Sequence, residues 1–164
     1  MTGVQTCALP ICDHRDALKP EVIWNTEKGL ALTMKDVVDA EWARTALMQR
    51  VATFFERYDV LLCPATIVPP FPVEERAVMS CDGVVFETYV DWLLIVAVAT
   101  LAGCPALSLP CGFTKAGLPV GLQMIGPANG EAKLLAAAHY LEMILNLKTH
   151  KPILPRVTHR SEEH

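Results

Sequence analysis

A run of eleven residues, Trp92–Ala102, limits the possible folds of this chain more than any other feature of its sequence, because nearly every side chain in it is apolar. Thr88 and Asp91 form a capping pattern before the run and Gly103 follows it, so the sequence predicts a helix over Tyr89–Leu101. Such a helix is too short to cross a bilayer, which takes about 20 apolar residues. A helix that is apolar on nearly every side is instead expected to lie buried inside a packed protein.

Five further elements are predicted around this helix, and their order indicates an α/β fold built in layers. The patterns predict a helix with one apolar stripe over Met34–Tyr58, a strand over Val60–Cys63, a hairpin of two strands over Ala106–Phe113 and Pro119–Ile125, and a helix over Glu131–Leu145. Trp24 and Trp42 are expected to be helix-packing residues. The strands are expected to be buried on both faces, which three strands alone cannot achieve. The sequence therefore predicts an incomplete sheet of about three strands with three helices.

Glycines mark the connections between these elements. Asp82 and Gly83 predict a turn between two short β-prone pieces. Gly117, Gly121 and Gly126 are expected where the chain turns or where two stretches of backbone approach closely.

The composition excludes several classes of protein. With 52% hydrophobic and 20% charged residues, the chain is not intrinsically disordered. Its net charge is −4 and it has no run of lysine or arginine, so neither nucleic acid nor an anionic membrane is an expected partner. The cysteines lack the spacing of zinc sites, and those after residue 12 are expected to be reduced core residues of a cytoplasmic protein: Cys63, Cys81, Cys104 and Cys111. No cofactor and no metal are expected.

Few side chains suit nucleophilic or metal chemistry. Ser108 lies inside a predicted strand, which lacks the sharp turn and the oxyanion donors that a nucleophile needs, so we expect a hydrogen-bonded core serine there. Cys111 and His139 could form a dyad, but the sequence suggests no third group to orient it. The histidines near the polar C-terminus lack the spacing of a zinc motif: His150, His159 and His164.

Three segments, taken in order, resemble the amidase signature family. They are Phe54–Thr66, Thr100–Gly112 and Gly117–Gly126, and they are similar to the C-terminal third of family members at about these spacings. The resemblance extends over nearly all of residues 18–152. It implies the C-terminal part of an α/β/α sandwich with a mixed β-sheet. It also implies a parent enzyme that hydrolyses a carboxylic amide to a carboxylate and ammonia or an amine.

The resemblance further implies what the chain lacks. Family members use a Ser–cis-Ser–Lys triad, whose nucleophilic serine lies in a stretch rich in glycine and serine that also forms the oxyanion hole. The chain has three serines, none of them in such a stretch: Ser80, Ser108 and Ser161. Lys19, Lys28 and Lys35 have no motif that resembles that of the catalytic lysine. No catalytic residue is therefore expected in this polypeptide.

The loop over Pro64–Glu75 contains four prolines and is expected to be extended and stiff. Loops that follow strand ends often carry function. In the parent enzyme, the resemblance implies that this loop lines the pocket for the acyl side of a small amide substrate, with Ile67, Phe71 and Trp92 as apolar walls. The alternative is a surface connection that the prolines hold in place.

The first residues, Met1–Ile11, match the translation of one strand of a common short-read sequencing adapter, and Cys12 fits the base that follows. We therefore expect residues 1–12 to be an artefactual leader, residues 13–152 to be the C-terminal part of an amidase domain, and residues 153–164 to be a frayed tail. A missing N-terminal catalytic half is then the expected partner.

Three functions remain open. The chain is part of a truncated amide hydrolase that is inactive alone, or a non-enzymatic subunit that completes an amidase, or part of a tRNA-dependent amidotransferase A-type subunit. Against the third, the segment Cys81–Leu93 resembles general amidases more than amidotransferase subunits. Unpaired strand edges and the apolar helix make self-association an expected behaviour of the chain alone.

Overall fold

The computed structural model describes residues 14–147, which form four α-helices and five strands. The elements are α1 (Pro20–Leu30), α2 (Met34–Phe55), β1 (Leu61–Pro64), β2 (Ser80–Cys81), β3 (Val84–Val85), α3 (Leu94–Ala102), β4 (Ala106–Phe113), β5 (Pro119–Ile125) and α4 (Glu131–Leu145). Short 3-10 helices lie at Arg15–Ala17 and Asp91–Leu93. The predicted leader, the predicted tail and the three histidines near the C-terminus lie outside the described residues.

The three longer strands form an antiparallel sheet in the order β1-β5-β4. Gln123 in the central strand β5 lies opposite Cys63 of β1 on one side and Ser108 of β4 on the other. The pairing of β4 with β5 is interrupted by a bulge at Cys111. Gly112, which follows it, has φ of 152°, a conformation that favours glycine.

The predicted β4–β5 hairpin and the last helix are confirmed with their predicted bounds. The hairpin closes through a hydrogen bond of 2.8 Å from the Thr114 N–H to the Leu118 carbonyl, and Gly117 takes the positive φ of 80° that its turn requires. The predicted turn at Asp82 and Gly83 is confirmed too, because it joins β2 to β3 in a separate two-stranded hairpin.

Helices cover both faces of the sheet. On one face, α4 buries Leu134 against Met124 of β5. On the other, Ile125 is 2% exposed, and Ala99 and Ala102 of α3 are buried on the same side, where α3 also packs beside α2. The predicted α/β fold class with an incomplete sheet is confirmed.

The expectation that the apolar helix is buried on every side is wrong for this chain. The helix starts as a 3-10 turn, and α3 begins only at Leu94. Leu94, Val98 and Leu101 are 37–56% exposed, and we call these three residues the outer α3 face. Among the described residues, α3 has the sheet and α2 as neighbours but no second layer over its outer side. Within residues 14–147, no helix combines the length and the hydropathy that a membrane span requires.

The N-terminal half of α2 is uncovered for the same reason. Val37 is 46% exposed and Trp42 is 73% exposed, so the predicted packing of Trp42 is wrong. The apolar stripe of α2 is half-buried toward its C-terminal end, at Leu47, Val51 and Phe54. The edge strands β1 and β4 alternate between half-buried and exposed residues, so burial on both faces holds for the second half of β5 and not for the whole sheet.

The chain forms one helix more than predicted, α1, which begins with Pro20 at its first position. Its Trp24 ring meets the ring of Tyr89 edge-to-face at 5.7 Å, so Trp24 packs from α1 onto the turn before the second 3-10 helix. The following helix, α2, starts with a capping box in which the Thr33 N–H donates to Asp36 Oδ2 at 2.8 Å and the Asp36 N–H donates to Thr33 Oγ1 at 3.2 Å. The hydrogen bonds from Thr33 lower the pKa of the Asp36 carboxyl.

Candidate functional site

A cleft of about 670 Å³ opens where the loop after β1 passes the β4–β5 hairpin. Its walls come from three parts of the chain. They are the loop at residues 65–71, Trp92 in the second 3-10 helix, and the hairpin residues Ser108, Pro110, Thr114 and 119–121. Segments that are distant in sequence therefore meet at one end of the sheet.

Hydrogen bonds fix the loop onto the rest of the structure. The Ala65 N–H donates to the Gly121 carbonyl at 3.0 Å, which continues the pairing of β1 with β5 into the loop. The Cys81 thiol donates to the Ile67 carbonyl at 3.7 Å and so connects the loop to β2. Because prolines also restrict the backbone here, the loop forms a firm wall.

An aromatic pair connects the loop to the second 3-10 helix. The rings of Phe71 and Trp92 lie edge-to-face, with centroids 5.7 Å apart and planes at 82°. The turn before Trp92 is held by Asp91, whose Oδ2 accepts hydrogen bonds from the N–H groups of Glu87 at 3.0 Å and Thr88 at 2.9 Å. Asp91 therefore holds the turn that positions the tryptophan, whereas the predicted side-chain cap of the helix is absent from the described 3-10 helix and from α3.

The three residues predicted as pocket walls, Ile67, Phe71 and Trp92, all line this one cleft and are half-buried. Two of them come from the proline-rich loop, and the third follows a different loop 21 positions further along the chain than Phe71. Their role in binding a substrate stays a prediction.

The expectation for Ser108 is wrong: its side chain is exposed and lines the cleft. On either side of it, Leu107 and Leu109 pack against the core around Met124. Since successive residues of a strand point to opposite faces, Ser108 faces away from that core. The alternation of Leu107, Ser108 and Leu109 in the sequence indicates the same orientation.

Gly121 is a second residue of the cleft that sequence reasoning did not assign to a site. A Cβ atom at this position would lie 2.9 Å from Ser108 Oγ and 3.1 Å from Ala65 Cβ. The backbone at Gly121 therefore lies so close to Ser108 and Ala65 that it leaves no room for a side chain. This confirms the close approach predicted for Gly121, and Gly126 shows another, because a Cβ there would lie 3.2 Å from Leu134 Cβ.

The described residues that line the cleft include three with hydroxyl groups and none with a charge. The Thr66 hydroxyl donates to the Val68 carbonyl at 2.6 Å, and the Thr114 hydroxyl accepts from the Leu118 N–H at 3.1 Å. The Ser108 hydroxyl makes no side-chain hydrogen bond to any residue in the described part of the chain. Of the three hydroxyl groups, Ser108 is therefore the one whose donor and acceptor sites are both available to a ligand.

The remaining titratable candidates lie elsewhere. The described cysteines are free and half-buried, and burial raises the pKa of the Cys63 and Cys104 thiols. Cys111 donates to the Val120 carbonyl at 3.4 Å, while His139 is exposed on α4, and no hydrogen bond joins Cys111 to His139 in the part of the chain described. Residues 14–147 contain no group of three His, Cys, Asp or Glu side chains that could hold a metal ion.

The fold and the cleft together define an α/β protein with a pocket of the size that takes a small organic molecule. The model of the Amidase family matches residues 14–135. This chain belongs to the amidase signature family.

Curated relatives include components of a larger enzyme. The A subunit of glutamyl-tRNA(Gln) amidotransferase from Halothermothrix orenii is 40% identical over 115 residues, which are 70% of this chain and 23% of that protein. Its counterpart from Alkaliphilus metalliredigens is 44% identical over 98 residues, which are 60% of this chain and 19% of that protein. The chain thus spans less than a quarter of the length of these relatives.

Solved structures share the fold. A crystal structure of an amidase has a TM-score of 0.72 at 30% identity and covers 82% of this chain, which corresponds to 30% of that amidase. A bacterial aryl acylamidase of the amidase signature family has a TM-score of 0.71 at 19% identity and covers 85% of this chain and 30% of its own. The A subunit of glutamyl-tRNA(Gln) amidotransferase from Thermotoga maritima has a TM-score of 0.51 at 23% identity, and the match covers 75% of this chain and 30% of that subunit. At these identities, the last two show the fold alone.

Proposed function

We propose that this chain is the C-terminal part of an amide hydrolase and that it supplies the acyl-side wall of the substrate pocket. The observation that carries the proposal is the convergence of Ile67, Phe71 and Trp92 on one uncharged cleft in a chain of the amidase signature family. The substrate is a small carboxylic amide, and the products are a carboxylate and ammonia or an amine.

Amide hydrolysis also needs a nucleophile, a base and donors for the oxyanion. The cleft offers Ser108 as its one serine, and no histidine, lysine or carboxylate is among the described residues that line it. We propose that the triad lies on polypeptide outside this chain, in a catalytic half that packs against it. Free, half-buried cysteines are consistent with a reducing compartment, and we propose the cytoplasm.

Several uncovered surfaces fit such a partner. β1 and β4 are the edges of the described sheet, and each leaves one side of its backbone unpaired there. The outer α3 face and the N-terminal half of α2 add exposed apolar side chains. A catalytic half that extends the sheet and adds a helical layer would cover the unpaired strand edges and these exposed apolar side chains.

A second candidate is an A-type subunit of a tRNA-dependent amidotransferase. The identity of 40% to the Halothermothrix orenii protein favours it. The two candidates differ in the amide that is cleaved and in the fate of its ammonia. An amidotransferase takes ammonia from an amide donor and transfers it to a second substrate, whereas a general amidase releases it.

The test supplies the catalytic half in trans. The 164-residue chain is co-expressed with the upstream part of a family member, cut before the segment that corresponds to residue 14, and ammonia release is measured with benzamide and with glutamine. We expect no hydrolysis by either part alone and hydrolysis of benzamide by the pair. Hydrolysis of glutamine instead would favour the amidotransferase.

Variants then test the pocket wall in the active pair. Phe71→Ala should lower kcat/KM for benzamide about tenfold, since it removes one ring of the aromatic pair. Val73→Ala, in the same loop at 91% exposure, is the matched control and should change kcat/KM less than about twofold. The proposal is contradicted if the pair assembles without activity, or if the chain alone hydrolyses an amide in a burst that Ser108→Ala abolishes.

A further inference from the structure

The charge of the cleft limits what it can hold. As far as the chain is described, its lining contains no Asp, Glu, Lys, Arg or His. A charged ligand would lose hydration there without gaining an opposite charge. At about 670 Å³, the cleft has the size of a pocket for a small molecule, so its occupant should be small and uncharged.

The shape of the apolar wall favours a planar ring. Phe71 and Trp92 meet edge-to-face, and a third ring can join them in a further edge-to-face or offset contact. The rings of Pro69 and Pro70 and the side chain of Ile67 complete the apolar lining on the loop side. An aromatic group gains more from such a wall than an aliphatic group of equal area.

The polar end of the cleft is set by Ser108 and Gly121. The Ser108 hydroxyl has no side-chain partner among the described residues, and its Oγ lies against Gly121, where a Cβ atom would come within 2.9 Å of it. Gln123, opposite Ser108 in the sheet, offers a competing partner, because its Oε1 is buried and lacks a hydrogen bond within the described chain. The hydroxyl can therefore serve either a ligand or the strand beside it.

We propose that the cleft binds an uncharged aromatic carboxamide and that the Ser108 hydroxyl donates a hydrogen bond to the carbonyl oxygen of this ligand. The choice of a carboxamide rests on the proposed function, whereas the aromatic and uncharged character rests on the lining. A carbonyl oxygen has two lone pairs, so this contact leaves one for the oxyanion donors of a catalytic half. Ser108 acts here as a binding residue and not as the nucleophile.

The first test needs no variant. Binding of 4-fluorobenzamide and of 4-fluorobenzoate to the 164-residue chain is measured by ¹⁹F NMR relaxation. The two probes have the same ring and nearly the same volume and differ in charge. We expect the amide to bind at least about tenfold more tightly than the carboxylate. Equal binding of the two, or no binding of the amide, would overturn the proposal.

Substitutions then test the hydrogen bond. Ser108→Ala should weaken 4-fluorobenzamide binding about fivefold, the loss of one neutral hydrogen bond. Gly121→Ala places a methyl group against Ser108 Oγ and should weaken binding at least as much. The double variant lacks Ser108 Oγ and therefore the contact between this atom and the new methyl group. Its loss of 4-fluorobenzamide binding should be smaller than the two single losses combined. Ser80→Ala, which removes an exposed hydroxyl of β2 outside the cleft, is the matched control and should leave binding unchanged.

Thermal unfolding separates the two roles open to the hydroxyl. If Ser108 serves Gln123 instead of a ligand, Ser108→Ala will lower the melting temperature and leave probe binding unchanged, which overturns the proposal. Failure of the trans assay with intact binding of 4-fluorobenzamide would contradict the proposed function alone. Activity of the pair on amides without binding of the aromatic probe by the chain would contradict this inference alone.

Discussion

Leu134→Ala should lower the free energy of unfolding of this chain by about 3 kcal/mol. Leu134 is 3% exposed and packs against Met124 and Ala138 between α4 and the sheet. The substitution removes three carbon atoms from this core, which costs roughly 2.4 kcal/mol of transfer free energy at ~0.8 kcal/mol per buried carbon. A cavity adds to this cost, because Met124 and Ala138 around the site are themselves buried and can fill the vacated volume only in part.

The adjacent residue gives the matched control. Leu135 is 63% exposed on the same helix, so Leu135→Ala loses little burial and gains slightly in helix propensity, and its effect should stay within about 0.5 kcal/mol. Both variants are compared by urea denaturation, followed by circular dichroism at 222 nm. Equal destabilisation by the two substitutions would refute the reasoning, because it would mean that α4 does not pack on the sheet through Leu134.

Three further results are expected. The hydrogen bonds from Thr33 lower the pKa of the Asp36 carboxyl below its ordinary 3.8. Their stabilisation of the start of α2 is therefore complete above that value and is lost as the pH falls through the lower pKa of the folded state. Circular dichroism from pH 6 to pH 2 should show this loss in the unsubstituted chain and not in Asp36→Ala. Burial raises the pKa of the Cys63 and Cys104 thiols, so both should react slowly with iodoacetamide at pH 8 and faster in urea, as measured by mass spectrometry of peptides. The outer α3 face should make the chain self-associate and bind a dye for apolar surfaces, and size-exclusion chromatography that shows a monodisperse monomer without dye binding would contradict this.

Local patterns were enough to predict the elements whose neighbours are close in sequence. The β4–β5 hairpin and α4 have their predicted bounds, because strand alternation, a glycine turn and a helical period operate over a few residues. The capping pattern at Thr33 was readable for the same reason, whereas Thr88 and Asp91 hold the preceding turn and do not cap α3, whose first residue is Leu94. The extra helix α1 was not predicted although its apolar residues gather on one side, and its ring contact, Trp24 on Tyr89, joins parts of the chain that are distant in sequence.

Burial could not be predicted from the same patterns. The sequence of α3 is that of a helix with apolar neighbours on every side, yet its outer face is exposed, because burial depends on layers that the described residues do not contain. Trp42 was predicted to pack and is 73% exposed for this reason. Hydrophobicity states which surfaces a chain needs to cover, and the tertiary structure decides which of them are covered.

The sequence by itself determined the family of this protein, the strands and helices that follow local periodicity, and the three apolar candidates for a pocket, Ile67, Phe71 and Trp92. Only the tertiary structure decided that these three meet, and that they meet on the face of the sheet where Ser108 lies. The physical reason is the pairing of strands. The antiparallel pairing of β1 with β5 places Ala65, at the start of the loop, against Gly121, which lies 56 positions further along the chain.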